Sequence, residues 1–248
     1  MTEQTRQWLR ELRLPAMDRA YSQQMELPVS DSLGFDERFA LLVQAEWESR
    51  KDKKLFRLLK TADLRDKGAC LEEIVFHKSR NIEKAMVANL ADCRWIRKGH
   101  NLLISGACGT GKTYLLSAFG NAACRQGYSV RCFRLPRLLG DMHIGRGDGS
   151  WGKILRDLKK PDLLILDDFG LSPLEPLQCR DFLEVVEDRY GSASTIVSSQ
   201  LPVSSWHSVF TDATIADAVL DRLLQNAHRF ELKGPSRRSH ILPSVDNV

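Results

Sequence analysis

The chain has 248 residues, 43% hydrophobic and 27% charged, which is enough for one domain of ordinary size plus a smaller one and for a real buried core. Its formal net charge of +4, with a pI near 8.7, permits an acidic partner such as nucleic acid without requiring one. Cys70, Cys93, Cys108, Cys124, Cys132 and Cys179 stand far apart with no C-x-x-C pair, which argues against a zinc site or a disulfide framework. The charged start at residues 1–13 and the lack of any 18-residue apolar run argue against a signal peptide or a membrane span, so a cytoplasmic protein is expected.

Residues 1–99 carry no strand signal, and their apolar residues recur at helical spacing, as Leu9, Leu12 and Met17 or Phe39, Leu42 and Val43 do. A small all-α domain is expected there. Pro15 should end one helix or start the next, residues 28–34 read as a loop, and a longer helix runs from Asp36. Between residues 50 and 67 that helix carries Arg50, Lys51, Lys53, Lys54, Arg57, Lys60, Arg65 and Lys67, a row suited either to the phosphate backbone of DNA or simply to water. Residues 81–97 read as one more helix, with Trp95 in the core.

From Asn101 strands alternate with helices, the pattern of a parallel sheet with crossover helices. Leu102, Leu103 and Ile104 form a short buried strand, and Gly106-Ala107-Cys108-Gly109-Thr110-Gly111-Lys112-Thr113 follows with P-loop spacing. The three glycines let successive N–H groups turn toward an anion at the start of the helix that Tyr114 continues. Lys112 adds a charge that reaches the β- and γ-phosphates, and the Thr113 hydroxyl suits Mg²⁺.

Residues 128–134 read as a second strand, Pro136 opens a short helix, and residues 145–150 read as a glycine-rich loop from which Arg146 either touches phosphate or merely moves in solvent. The run 162–168, apolar over Leu163 to Leu166, reads as a buried strand that ends in Asp167 and Asp168. This is a Walker B strand, with Asp167 holding Mg²⁺ through water opposite Thr113 and Asp168 orienting or deprotonating the attacking water; a cap of the following helix or turn is the plainer reading. A helix over 178–190 and a strand over 194–200 come next, and Gln200, beside Ser199, stands at that strand's end as a sensor amide or a simple polar turn residue. A last helix over 215–227 contains Arg222, a fifth strand covers 228–232, and Arg238 lies in the Gly-x-Ser-x-Arg tail. Arginine's planar fork suits a transferring phosphoryl group, although either arginine alone reads equally as a surface ion-pair residue.

Taken together, Walker A at Gly106 to Thr113, the Asp167-Asp168 strand end, Ser199-Gln200, Asp221-Arg222-Leu223 and Gly234-x-Ser236-x-Arg238 resemble the IstB-type transposition helper ATPases of insertion sequences. The likeness extends to Glu46-x-x-x-Arg50 and to the Cys93 to Asn101 stretch, nearly the whole chain. These proteins are AAA+ ATPases encoded beside a transposase and similar to DnaC-type helicase loaders.

The resemblance implies a five-stranded AAA+ core over 100–240, after a helical DNA-binding and assembly domain over 1–99, with a tail over 241–248 and no separate C-terminal lid. It implies ATP and Mg²⁺ as ligands, Arg222 acting on a neighbouring subunit's nucleotide, and Arg238 as second sensor. The expected partners are duplex DNA without base specificity, further copies of the chain in the presence of ATP, and the cognate transposase, with no membrane. Asp168 stands where many AAA+ proteins have glutamate, so slow hydrolysis to ADP and phosphate is expected. A helicase loader and a small-molecule kinase are the rival readings.

Overall fold

The computed structural model describes residues 3–26 and 33–236, so Arg238 and most of the loop expected at 28–34 lie outside the described residues. The chain forms two compact units, Met1–Arg57 and Leu58–Val248.

In the first unit the helices are α1 (Glu3–Glu11), α2 (Pro15–Glu26) and the greater part of α3 (Phe35–Ala62). Pro15 opens α2, where its missing N–H is one the helix would leave unpaired anyway. The ties in this unit are polar. Asp18 on α2 accepts from Arg6 at 2.9 Å and pairs with Arg10 at 3.5 Å. Glu46 on α3 accepts the N–H groups of Ala16 and Met17 at 2.8 and 3.2 Å, capping the start of α2 from another helix. Arg50 then binds Glu46 at 2.9 Å and the Arg13 carbonyl at 3.0 Å. Trp8, Phe35, Phe39 and Trp47 remain more than half exposed.

The second unit is built on a sheet of β1 (Leu102–Gly106), β2 (Val130–Arg134), β3 (Leu163–Phe169), β4 (Ser194–Ser199) and β5 (His228–Leu232), in the order β2-β3-β4-β1-β5 and parallel throughout. After β1 the chain crosses to the far edge, returns through β3 and β4, and finishes beside β1. The carboxyl ends of β1, β3 and β4 therefore meet at the point where the winding reverses, the place an open α/β sheet offers a ligand.

Helix α6 (Lys112–Arg125) follows β1 and buries Leu116, Phe119 and Ala123. The helices α4 (Lys84–Leu90) and α5 (Arg94–Arg97) precede it. Trp95 is 4% exposed, donates to the Leu90 carbonyl at 3.1 Å and meets Phe119 edge-on, as expected of a core residue. On the sheet's other side α9 (Pro176–Arg189) brings Phe182 into an aromatic cluster with Phe169, Trp206 and Phe210.

Several sequence expectations give way. The helix expected over 81–97 is two, broken at Cys93, whose φ of +58° is left-handed, with Asp92 capping the Arg94 N–H at 3.0 Å. Helix α3 stops at Ala62, before a left-handed Asp63, so Arg65 and Lys67 are off the helix. The loop expected at 145–150 is largely helix: α7 (Leu135–Asp148) runs through it to a left-handed Gly149, and α8 (Trp151–Lys159) follows. Gly145 allows this, since a Cβ there would lie 2.9 Å from Ile154 Cδ1 and 3.0 Å from the Trp151 nitrogen. Residues 63–73 pack along α6, with the Asn121 amide donating to the Ala69 carbonyl at 3.0 Å, and the unit boundary falls at Arg57 and Leu58 rather than near residue 99.

Candidate nucleotide site

The three P-loop glycines take backbone angles that a side chain would strain, with φ of +150°, +79° and +97° at Gly106, Gly109 and Gly111. Space is short for a Cβ as well, against backbone at Gly106 and against the end of a side chain at Gly111. At Gly106 it would stand 2.5 Å from the Leu232 carbonyl, and at Gly111 2.7 Å from an Arg80 nitrogen. Arg80 donates to the Thr110 and Val75 carbonyls at 2.9 and 3.0 Å, pinning the loop from outside. The Thr110 hydroxyl closes it from within, onto the Ala107 carbonyl at 2.8 Å.

Helix α6 starts at Lys112, so its N-terminal N–H groups and positive end face the same side as the loop. The Lys112 ammonium is held by the carbonyls of Gly106 and Ala107 at 2.6 and 2.9 Å. Tyr114 turns its hydroxyl to the Cys70 carbonyl at 3.1 Å, and Cys108 is exposed. A cavity of about 770 Å³ opens over Cys108, Gly109, Gly111, Lys112, Thr113 and Tyr114, with Asp168 and Gln200 on its opposite wall. That volume falls in the range of small-molecule and cofactor sites.

The acid pair closes the site from β3. Asp167 is fully buried; its Oδ1 accepts from the Ser198 hydroxyl and from the Asp168 N–H at 3.0 Å, while its Oδ2 lies 3.3 Å from the Thr113 hydroxyl. The Thr113 hydroxyl on the cavity wall and the Asp167 carboxylate buried behind it are hard oxygen donors, which fit Mg²⁺. The register between β3 and β4 shifts between Leu166 and Phe169, and Asp168 sits in that shift with a left-handed φ of +66°. Strain of this kind in a non-glycine residue gathers at functional sites. The Asp168 carboxylate binds Arg134 at 2.8 Å and Arg65 at 3.3 Å.

Other expected residues lie elsewhere. Arg222 is on α10 (Ala213–Leu224), paired with Glu187 and 5.9 Å from the Tyr190 ring centre, and it lines a separate small cavity together with Arg189 and Gly191. Ser199 turns inward to the Phe169 carbonyl at 2.7 Å, so Ser198 is the serine that reaches the acid pair. Sequence reasoning passed over Ser198, Arg80 and Arg134, and placed Arg65 in the basic row rather than at this site. For Ser198 a signal existed, since alternate residues of a strand share a face.

Arg146, expected on a free loop, is on α7, where its guanidinium is bound to the buried Asp181 and stacks 4.5 Å from the Trp151 ring centre. Along α3, Arg50 is engaged with Glu46 and Lys51 lies over Trp47, 5.0 Å from its ring centre. Lys53, Lys54, Arg57 and Lys60 are exposed and make no ion pair among the described residues. With Arg50 they fall at i, i+3, i+4, i+7 and i+10, one stripe of the helix.

A glycine turn between a buried parallel strand and a helix, faced by a buried acid on β3 with β4 inserted between the two strands, defines a P-loop nucleotide-binding protein with the AAA+ arrangement of the sheet. Residues 7–241 match the family described as IstB-like ATP binding protein, and the chain belongs to that family, the ATP-binding helpers of IS21-type insertion sequences. An insertion-sequence IS1162 ATP-binding protein of Pseudomonas fluorescens is 49% identical over 205 residues, covering 83% of this chain and 89% of that protein. The insertion-sequence ATP-binding protein y4pL of Sinorhizobium fredii is 43% identical over 225 residues, 91% of each chain. Among solved structures, the DnaC helicase loader superposes with a TM-score of 0.55 over 66% of this chain and 97% of its own, at 20% identity, a likeness of fold. Among the described residues no helix is long and apolar enough to cross a membrane.

Proposed function

We propose that this protein is an ATP-hydrolysing switch that assembles with further copies of itself on duplex DNA and there recruits and stimulates the transposase of its insertion sequence. The observation that carries the ATP part is one cavity lined by the P-loop, Thr113 and Asp168, with Asp167 buried beside it and its Oδ2 3.3 Å from Thr113 Oγ1. The polyphosphate lies along the loop N–H groups and the start of α6, and Lys112 follows the β- and γ-phosphates. Thr113 and Asp167 hold Mg²⁺, which when bound supplies charge neutralisation at the phosphate oxygens. Asp168 orients the attacking water or takes its proton, and Gln200 on the cavity wall hydrogen-bonds the water or the γ-phosphate.

Arg222 lies away from the cavity of its own chain, which favours a role at a neighbouring subunit's nucleotide. Arg238 completes the proposed set as second sensor. The stripe of Lys53, Lys54, Arg57 and Lys60 supports contact with DNA phosphates without base reading. Exposed Trp8, Phe35, Phe39 and Trp47 support self-assembly, since large apolar side chains left in water mark association surfaces.

The test is complementation between two inactive variants. Lys112→Ala and Arg222→Ala are each expected to hydrolyse ATP poorly, and mixing them on DNA should restore part of the rate, because an intact nucleotide site then meets an intact arginine. A mixture no more active than its parts would overturn the shared site.

A further inference from the structure

Arg65 entered the sequence reading as one cation in a row, yet its guanidinium is inside the nucleotide cavity. Its Nη1 lies 3.0 Å from Asp167 Oδ2 and 3.3 Å from Asp168 Oδ2. Asp167 has no second oxygen to offer a cation, because Oδ1 is taken by the Ser198 hydroxyl and the Asp168 N–H. Oδ2 is also the oxygen that faces the Thr113 hydroxyl. The guanidinium thus sits on the one carboxylate atom that Mg²⁺ would use.

A guanidinium held on that oxygen occupies it and repels a divalent cation brought beside it, directly or through water. We therefore infer that Arg65 and the divalent cation are alternative partners of Asp167, so that loading Mg²⁺ with nucleotide expels Arg65. This deepens, and rests on, the ATP and Mg²⁺ reading of the site. Arg65 can leave: its side chain is 42% exposed, while that of Asp167 is 1% exposed. Lys112 and Arg134 line the same cavity, so an arriving polyphosphate is the anion that takes over the charge of the displaced arginine.

Arg65 is tied to the segment behind it. The Asp66 N–H donates to the Ser117 hydroxyl at 3.4 Å, and Cys70 is bonded to Tyr114. The backbone behind Arg65 is thus held to α6, and the exchange is a swing of the Arg65 side chain. Arg65 is on this account a positioning residue that sets the metal requirement of the site.

The experiment measures Mn²⁺ binding to the full-length protein by electron paramagnetic resonance, with and without a non-hydrolysable ATP analogue. It compares wild type, Arg65→Gln, Arg65→Ala, Arg65→Lys and Asp167→Asn. Removing a competing charge-assisted hydrogen bond should tighten Mn²⁺ on the order of ten-fold in Arg65→Gln. Arg65→Lys, which keeps a cation, should stay within about three-fold of wild type, and Asp167→Asn should weaken binding in every case.

Unchanged or weaker Mn²⁺ binding in Arg65→Gln, with wild type still binding metal and nucleotide, would overturn the competition and leave the site standing. If wild type binds neither, the reading of the site itself fails. Should Arg65→Gln fold poorly, Arg65→Lys still decides: its shorter ammonium must keep metal affinity below that of Arg65→Ala, and equal affinities would refute the idea.

Discussion

Gly106→Ala separates a structural need for glycine from a mere preference for it. At Gly106 the backbone has φ of +150°, and an added Cβ would stand 2.5 Å from the Leu232 carbonyl and 3.0 Å from the Leu232 Cβ. Leu232 is the register partner of Gly106, so the clash is with the backbone of the edge strand and no side chain can swing aside to relieve it. A backbone angle reserved for glycine costs about 1–3 kcal/mol, and forcing extra volume into a packed contact costs about as much again. The sum, roughly 2–6 kcal/mol, lowers the melting temperature by about 6–18 °C in a chain of this size, at about 3 °C per kcal/mol. Gly147→Ala is the control, because Gly147 is in helix α7 and a Cβ there meets nothing within 4 Å. That change should be neutral or stabilise by up to about 1 kcal/mol. Thermal unfolding followed by circular dichroism, with titration of a fluorescent ATP analogue, reads both effects. A Gly106→Ala protein that melts within about 2 °C of wild type, a small fraction of the worked shift, and binds nucleotide normally would refute the reasoning.

Three further outcomes follow from the same geometry. Hydrogen bonding from Arg6 holds the Asp18 carboxyl below its ordinary value, and at Glu46 bonds from Arg50, Met17 and Ala16 outweigh the upward push of burial. Both groups bind protons less well folded than unfolded, so their stabilisation is present above the ordinary values of 3.8 and 4.5 and is lost as the pH falls below them. Acid titration of far-UV circular dichroism should show helix loss in that window, and Asp18→Asn should flatten it. The fully buried Arg189, whose burial pulls its guanidinium down to about 10, donates to the carbonyls of Leu158, Pro161 and Ser194. Arg189→Met leaves these acceptors unpaired and should cost about 3–5 kcal/mol in urea unfolding. Reversing Lys53, Lys54 and Arg57 to glutamate should weaken duplex binding and flatten the slope of log K against log salt by about 2.7, three phosphate contacts' worth; an unchanged slope would put DNA on another surface.

What could be read in advance was what local chemistry dictates. The P-loop announces itself because three glycines, a lysine and a threonine must stand at fixed spacing for one strand–turn–helix, and the acid pair because two charges end an apolar run. The five strands were legible for the same reason, as short apolar or β-branched runs between turns. Helix α8 was not. Gly145 to Ser150 has the composition of a loop, yet α7 runs through it to Asp148 with Ile154 and Trp151 close against a side-chain-free Gly145, and Ile154, Leu155 and Leu158 already carried the helical spacing of α8. The breaks at Asp63 and Cys93 are left-handed turns in residues with no strong preference for them, set by tertiary packing. Arg189 and Asn101 looked like ordinary polar residues. Each is a buried staple, Asn101 joining the start of β1 to the Leu223 carbonyl and the Thr195 N–H. Arg65 and Arg134 reach the acid pair through the fold alone, Arg134 by standing in register with Asp167 across β2 and β3.

The central claim, that ATP drives assembly on DNA, is tested most directly by the mass of the complex formed on a duplex of random sequence. It should be measured with ATP and with ADP, for wild type and for Lys112→Ala. The account predicts a multimer on DNA with ATP that ADP does not support and that Lys112→Ala abolishes. A protein that stays monomeric and off duplex DNA in every condition would contradict it and leave a helicase loader or a small-molecule kinase as the better reading.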